Sequence, residues 1–414
     1  MSKICLITNA HVANNPRLVK EADALAETGH DVTVIACQYQ GWARENDRSI
    51  LERAEWDVDL VRWGKEENPR LYWMSGLRQH LCRSLFRLPG GKRVFKRTGP
   101  VGLRAYERTF SELYDRAQHH SADLYIAHNL QALPVAAAAA ERHGAKLGFD
   151  AEDFHSGIRP EMPTTLVDEI TEAVEREYLP LCDYVTAASP GIAKAYADKY
   201  GIEKPTSILN VFPLGQRPDS FREADPDEPL TAYWFSQTIG PRRGLEEVAE
   251  ALALIPDCDV EVHLRGAWHS DEYRRELNSL AGQAQDRIIA HEPAPSDEMI
   301  WRSAQYDVGL AIERSIGNRD ICLTNKIFTY LLAGNAVAAT ATAAQEAFME
   351  ERAEGSGVVY ESGDAGALAQ HLKRWAENPD VLNRHRRQAW EYGDERYNWD
   401  VEKENFLSVV EEVL

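Results

Sequence analysis

No apolar run in the 414 residues reaches the roughly 18 that a membrane-spanning helix needs. Cysteine is scarce: six residues, at 5, 37, 82, 182, 258 and 322, with no CxxC pair. Scattered singly, they fit reduced cytosolic thiols better than disulfides or a zinc site. Cys5 and Cys37 fall in apolar, strand-like runs and are expected in the core. The zinc-peptidase motif, the P-loop and the hydrolase nucleophile elbow are all missing. Positive charge is also short. A formal net charge of −20 argues against nucleic acid as the main partner. The N-terminus passes straight into Lys3–Ile7, a strand pattern rather than a signal peptide.

Hydrophobic residues make up 44% of the chain, enough for sizeable cores, and the length suggests two or three domains. The charge is uneven. Residues 62–108 contain twelve Lys/Arg and three acids, so this segment is +9 and the remainder −29. Trp63, Tyr72, Trp73, Leu77, Leu81, Leu85, Phe86 and Phe95 interleave with the cations. Such a mixture suits an anionic membrane surface or an anionic acceptor. It equally describes a solvated insertion whose apolar residues pack on their own domain.

Strand and helix patterns alternate from the start. Ile4–Thr8, the helical period from Arg17 to Thr28 closed by Gly29, and Val32–Cys37 form a βαβ unit, which predicts a parallel sheet. The loop between, Asn9–Pro16, is polar and lies at a carboxyl strand end, where open α/β sheets bind ligands. It has no GxGxxG fingerprint. Further strands are expected at 124–127, 146–149, 184–188 and 207–210, with helices at 132–142, 165–179 and 191–200. Residues 214–229, rich in Pro, Asp and Arg, read as a linker. The second half repeats the alternation, with strands at 231–235, 259–264, 287–290, 308–312, 336–339 and 357–360. Helices are expected at 244–254, 271–281, 297–304, 325–333, 343–351 and 364–376. The fold class is α/β: two Rossmann-like, doubly wound domains facing a cleft, with ligands between them.

Anion-binding features converge in the second half. Thr324–Gly334 reads as a helix that Thr324 or Asn325 caps, with Ile327, Tyr330 and Leu331 on one face and Gly334 as the stop. Lys326 puts a full charge at its positive end, where phosphates bind. Arg242-Arg243-Gly244 opens another helix, after a strand and the polar turn Ser236-Gln237-Thr238. In a parallel sheet both helix starts lie on the carboxyl edge, and two cations with two helix dipoles suit a diphosphate leaving group. Solvated surface cations would read the same. Three DxD tripeptides, starting at Asp57, Asp225 and Asp257, lie in a polar segment, a linker and a turn, so a metal-diphosphate site is not expected at them.

The motif order resembles the GT-B-fold glycosyltransferases of the large retaining family four (group 1 glycosyltransferases). The stretches that carry the likeness are NPRLVKEADALAETGHDVTVIA, ADLYIAHNLQALP, KLGFDAEDF, WFSQTIGPRRGLEEV, YDVGLAI, TNKIFTYLLAGNAVAAT and the tail ERYNWDVEKENFLSVV. The resemblance implies an N-terminal acceptor domain (1–213), a linker (214–229), a C-terminal donor domain (230–390) and a crossover helix returning to the first domain (391–414). It places a sugar-contacting histidine on His128 and the phosphate-holding cations on Arg243 and Lys326. The family's first loop cation falls on Gln237 and its glycine on Ser236. Glu152 and Asp153 stand where His-Glu is usual. A ribose-holding glutamate falls on Thr329, and its companion near Asp320 or Ile321.

The activity so implied is retaining, metal-independent transfer of a hexose from a nucleotide diphosphate-sugar to a hydroxyl, in surface polysaccharide or glycolipid synthesis. The mechanism is front-face, without a protein nucleophile or cofactor. The catalytic group is His128, Arg243 and Lys326. Donor contacts fall on Ser236, Gln237, Arg242, His291, Glu313, Asp320, Thr324, Asn325 and Thr329. Acceptor-side contacts fall on Asn14, Asn15, Arg17, Asp150, Glu152 and Asp153. Partners would be the nucleotide-sugar, a saccharide or lipid-linked acceptor and, through 62–108, an anionic membrane surface on the cytoplasmic side. The rival readings are a GT-B-fold nucleotide-sugar epimerase, which Glu152 and Asp153 keep open, and a non-catalytic nucleotide-sugar-binding protein.

Overall fold

The computed structural model describes residues 1–158 and 162–414. The chain divides into two units, Met1–Leu209 with Lys403–Leu414, and Asn210–Glu402. Each unit is built on one parallel sheet.

In the first unit the strands are β1 (Lys3–Thr8), β2 (Asp31–Gln38), β3 (Asp57–Arg62), β4 (Leu124–His128), β5 (Lys146–Ala151), β6 (Tyr184–Ala187) and β7 (Thr206–Ser207). They lie in the order β3-β2-β1-β4-β5-β6-β7. All five residues of β4 and the last five of β1 are buried. Continuous burial is what a parallel sheet covered by helices on both faces requires. Cys5 and Cys37 are core residues, and all six cysteines are free thiols. Helix α1 (Pro16–Glu27) starts where Asn15 accepts the Leu18 N–H at 3.1 Å, with Pro16 in the first turn.

Strand β3 is the strand missing from the sequence reading. Its Asp-Val-Asp-Leu-Val-Arg is charged at Asp57, Asp59 and Arg62 and lies on the sheet edge, so it has no continuous apolar run to reveal it. Charged edges of this kind prevent sheet-to-sheet pairing. Asp59 is held there by Arg116 and by His120 at 2.9 Å. The segment after it forms helix α2 (Pro69–Arg87).

The second unit contains β8 (Leu230–Ile239), β9 (Val260–Trp268), β10 (Ile288–His291), β11 (Val308–Ala311), β12 (Ala336–Thr340) and β13 (Gly357–Tyr360), in the order β10-β9-β8-β11-β12-β13. Its core packs Trp234, Val262, Leu310 and Ala338 against Leu245, Val248 and Leu252 of helix α3 (Leu245–Leu254) and Leu368, Leu372 and Trp375 of the Ala365–Glu377 helix. In both sheets the second half of the strands is added on the other side of the first strand. The order therefore reverses between β1 and β4, and between β8 and β11. Such reversal points open a crevice at the carboxyl ends of the two strands.

Two local expectations change. Ser236-Gln237-Thr238 is not a turn. Strand β8 continues through it to Ile239, with a register shift against β9 between Phe235 and Thr238. A bulge of this kind absorbs polar residues without ending a strand. Helix α4 (Asn325–Ala333) begins and ends where expected, and Gly334 takes the left-handed conformation with φ 76°. Its start is not capped, however: Thr324 makes no side-chain hydrogen bond to the first turn. Ile327, Tyr330 and Leu331 are fully buried.

Candidate active site

At the reversal point of the second unit, two loops meet. The loop after β8 carries Arg242, in a left-handed conformation with φ 64°, then the half-buried Arg243 and Gly244. Gly244 has φ 78°, and a Cβ on it would lie 2.2 Å from Ile312 Cγ2. Only glycine allows both the turn and the close approach of α3 to the end of β11. The loop after β11 reaches back, and the Arg319 guanidinium donates to the Arg242 carbonyl at 3.0 Å. Arg243 and the start of α4 are thus on the same edge of the sheet.

Lys326 lies at that helix start, largely buried. Its Nζ sits 3.2 Å from Glu313 Oε1 and 5.8 Å from the Trp234 ring centre. Glu313 is itself fixed: its N–H donates to Thr340 Oγ1 at 2.8 Å, and that hydroxyl donates to the Glu313 carbonyl at 2.7 Å. The ammonium is therefore held in one place. Because no side chain caps α4, its first-turn N–H groups and the ammonium form one positive end, suited to an anion.

The other donor-side residues divide. Thr324 is half-buried and Asn325 exposed at the helix start, and Ser236 and Gln237 lie on the bulge of β8. His291 ends β10 with Nε2 2.9 Å from His263 Nδ1. The pair stacks at 5.2 Å beside Tyr306. Burial, then the charges of His263 and Arg265, push the His291 imidazole below its ordinary range. Asp320 has an internal duty: it accepts from Ser315 Oγ at 2.5 Å and from the Ala343 N–H at 3.0 Å. Thr329 is fully buried, and its hydroxyl bonds the Asn325 carbonyl of its own helix at 3.4 Å. The contact expected of a glutamate at that position has no counterpart in Thr329.

In the first unit, three expected residues come together under the carboxyl ends of β1, β4 and β5. Arg17 grips Asp150 with two hydrogen bonds, Nε at 2.7 Å and NH2 at 2.6 Å, and donates to the Ile208 carbonyl at 2.8 Å. Thr186 Oγ1 donates to the same carboxylate at 2.8 Å. His128 has Nε2 3.1 Å from Glu21 and Nδ1 3.5 Å from Asp150. Arg17, Asp150 and His128 are each only 1–2% exposed. The expectation that Arg17 and Asp150 face an acceptor is therefore corrected: both are internal, and His128 turns its nitrogens to carboxylates. Glu21 and Thr186 were not singled out from sequence. Glu21 lies four residues from Arg17, one helical turn, which is the signal that could have found it.

Asn15 is buried as the α1 cap, while Asn14 is exposed. Their loop is locked by His11. Its Nε2 accepts the N–H groups of Tyr39 and Gln40 at 2.9 Å each, so the ring proton is on Nδ1 and is donated to Asp47 at 2.6 Å. Glu152 and Asp153 are half-buried beyond β5. Burial pushes the Glu152 carboxyl up.

Glu21, His128 and Asp150 bring possible ligand atoms within 4.8 Å of one another. Both Asp150 oxygens already accept from Arg17, and two cations balance the two carboxylates, so the cluster reads as an ion network. Burial disfavours charge on His128, but Glu21 and then Asp150 outweigh it and raise the imidazole to about 9. Burial also opposes the Asp150 charge, yet the Arg17 guanidinium holds that carboxyl far below its usual range. Glu21 is pushed up, mainly by burial and by Asp150. His128 thus stabilises the fold fully below its ordinary 6.5, and that contribution is lost as pH rises through about 9. Lys20, lowered by burial to about 7, acts in the opposite sense over an overlapping range. The difference between wild type and His128→Gln isolates the histidine. Chemical unfolding should show a gap of roughly 3 kcal/mol at pH 6 that closes by pH 10. A gap independent of pH would contradict a charged His128.

The two parallel sheets, each with its strand order reversing at a central strand, are the framework of the GT-B fold. Residues 15–209 match the family model for the glycosyl transferase 4-like domain. No curated protein matches the sequence. Among solved structures, Anabaena HepE in complex with UDP and glucose superposes with a TM-score of 0.70 at 15% identity, over 100% of both chains. Sucrose-phosphate synthase from Thermosynechococcus elongatus gives 0.67 at 15% identity, over 100% of this chain and 99% of that one. A TarM variant from S. aureus, with fondaparinux, α-GlcNAc-glycerol and UDP, gives 0.69 at 10% identity over 99% of both. The expected resemblance to group 1 glycosyltransferases of the GT-B fold is borne out.

Proposed function

We propose that this protein transfers a sugar from a nucleotide diphosphate-sugar to a hydroxyl acceptor. The observation that carries the reading is Lys326, held by Glu313 at the uncapped start of α4, on the sheet edge where the Arg242–Gly244 loop is tied down by Arg319. Arg243, Lys326 and the N–H groups at Thr324 and Asn325 would bind the diphosphate and stabilise it as it departs. Ser236, Gln237 and Arg242 would complete that pocket, with His291 beside the base. Glu313, released from Lys326 by the donor, would take a sugar hydroxyl. Asp320 would act through the loop it braces, and Thr329 through packing beneath the ribose.

In the first unit, Asn14, Glu152 and Asp153 would meet the acceptor, and the Arg17–Asp150–His128 network would hold the strand ends that present them. His128 would contribute its positive charge to the carboxyl ends of β1, β4 and β5. The reading includes retention of configuration by a front-face route and independence of metal, since the two cations do the work of a divalent ion. It includes a hexose donor and a saccharide or lipid-linked acceptor on the cytoplasmic side, in polysaccharide or glycolipid synthesis. UDP in HepE and in TarM supports a uridine donor.

A thermal-shift screen of UDP-, GDP-, ADP- and dTDP-sugars tests the donor site. A ligand at about 100 times its dissociation constant stabilises by about 2.7 kcal/mol, so the matching nucleotide should stand out, with a UDP-sugar expected. No shift with any of them would remove the donor site. A shift with no turnover across an acceptor panel would favour a binding protein, the reading that Thr329 supports.

A further inference from the structure

Helix α2 leaves an apolar stripe outside. Its inner side buries Ser75 and Phe86 and is tied to the rest of the first unit: Arg78 donates to Glu112 and to the Arg108 carbonyl, and Arg83 to the Ala105 carbonyl at 2.8 Å. Its opposite side carries Trp73, Met74, Leu77 and Leu81, exposed by 65, 66, 60 and 55%. Positions 73, 74, 77 and 81 form one stripe on a helix, the stripe that a globular protein normally buries. Leu88, 56% exposed, extends it. Arg70 and Arg87 stand exposed at the two ends, without an ion-pair partner among the described residues. Beyond the helix lies a cavity of about 690 Å³, lined by Arg83, Arg87, Lys92 and Arg93 together with Leu88 and Leu166.

We propose that the outward face of α2 and this basic cavity dock the protein on an anionic phospholipid surface. The apolar stripe enters the boundary between headgroups and acyl chains, and the cavity receives a lipid phosphate. Interfacial helices have this composition: aromatic and aliphatic residues on one side, cations at the margin. Charge selects the occupant. Arg78, Lys92, Lys96 and Arg97 of the +9 segment are paired with Glu112, Glu169 and Glu177, whereas Arg70, Arg87 and Arg93 have no ion-pair partner among the described residues, and these three make this face one that an anionic surface attracts. A symmetric contact with a second copy would set the same positive charge against itself.

Co-sedimentation of the full chain with vesicles tests this. Phosphatidylcholine vesicles containing roughly a third phosphatidylglycerol should bind the protein, and pure phosphatidylcholine at least about tenfold less. Leu77→Glu with Leu81→Glu should weaken binding about tenfold or more, as should Arg87→Glu with Arg93→Glu. The second pair should also abolish most of the salt dependence. Both pairs lie on the surface and should leave the thermal unfolding profile unchanged. Equal binding to both vesicle types would overturn the proposal, as would variants that bind like wild type. A wild-type dimer converted to monomer by the leucine pair would also overturn it, in favour of self-association. Vesicle binding needs no donor turnover, so this proposal and the donor site can fail separately.

Discussion

Lys326→Met should slow sugar transfer about 100- to 1000-fold, the usual consequence of removing one preorganised group from a developing anion. The ammonium is not a surface charge that water replaces. It is largely buried, fixed by Glu313 at 3.2 Å, and placed where the backbone of α4 already concentrates positive potential. Methionine keeps the stem volume beside Trp234 and removes only the charge. Some stability is lost, because Glu313 remains behind without its cation, at a cost of about 1–3 kcal/mol. Glu313→Gln in the same chain should recover most of that loss without recovering turnover. The stability of this double variant measures the folding effect, and Glu313→Gln alone is the reference for its turnover, because Glu313 is itself assigned to a sugar hydroxyl. Steady-state turnover of the donor identified by thermal shift is the measurement, and wild-type rates in Lys326→Met would remove the residue from its role.

Arg17→Leu should destabilise the first unit by about 3–5 kcal/mol, the range found when one partner of a buried ion pair is removed. Against a total of about 5–15 kcal/mol for a typical domain, that is a severe loss. The guanidinium makes three hydrogen bonds at 2.6–2.8 Å, and it is the main counter-charge to Asp150. Without it, two buried carboxylates, Glu21 and Asp150, share His128 alone. Adding Asp150→Leu should restore part of the stability, since removing both charges costs less than stranding one. Hydrogen exchange of the β1, β4 and β5 amides reads the unit directly. Protection in Arg17→Leu equal to wild type would contradict the network.

How far the sequence is legible follows from the physics of each element. In the second unit, strands and helices alternate and are separated by glycine or polar turns, so the pattern 343–351 or 357–360 is read to the residue. Edge strand β3 escapes, because its stability comes from one neighbour and its side chains are charged. Gln237 and Ser236 resemble a turn because bulges use the same polar residues. Lys326 and Arg243 were legible, since a cation at a helix start after a strand has one expected place in a parallel sheet. Glu21 was not, because a carboxylate on an amphipathic helix reads as solvated until the partner from a distant strand is known. Nor was the direction of α2. Periodicity shows that Trp73, Leu77 and Leu81 share a face, but burial alone tells which way that face looks.

The most direct measurement is proton NMR of the reaction as the nucleotide-sugar is consumed in the presence of acceptor. The expected result is release of nucleoside diphosphate together with a new glycosidic anomeric signal of the donor's configuration. An epimerised sugar still attached to its nucleotide, or a donor that stays intact while bound, would contradict transfer.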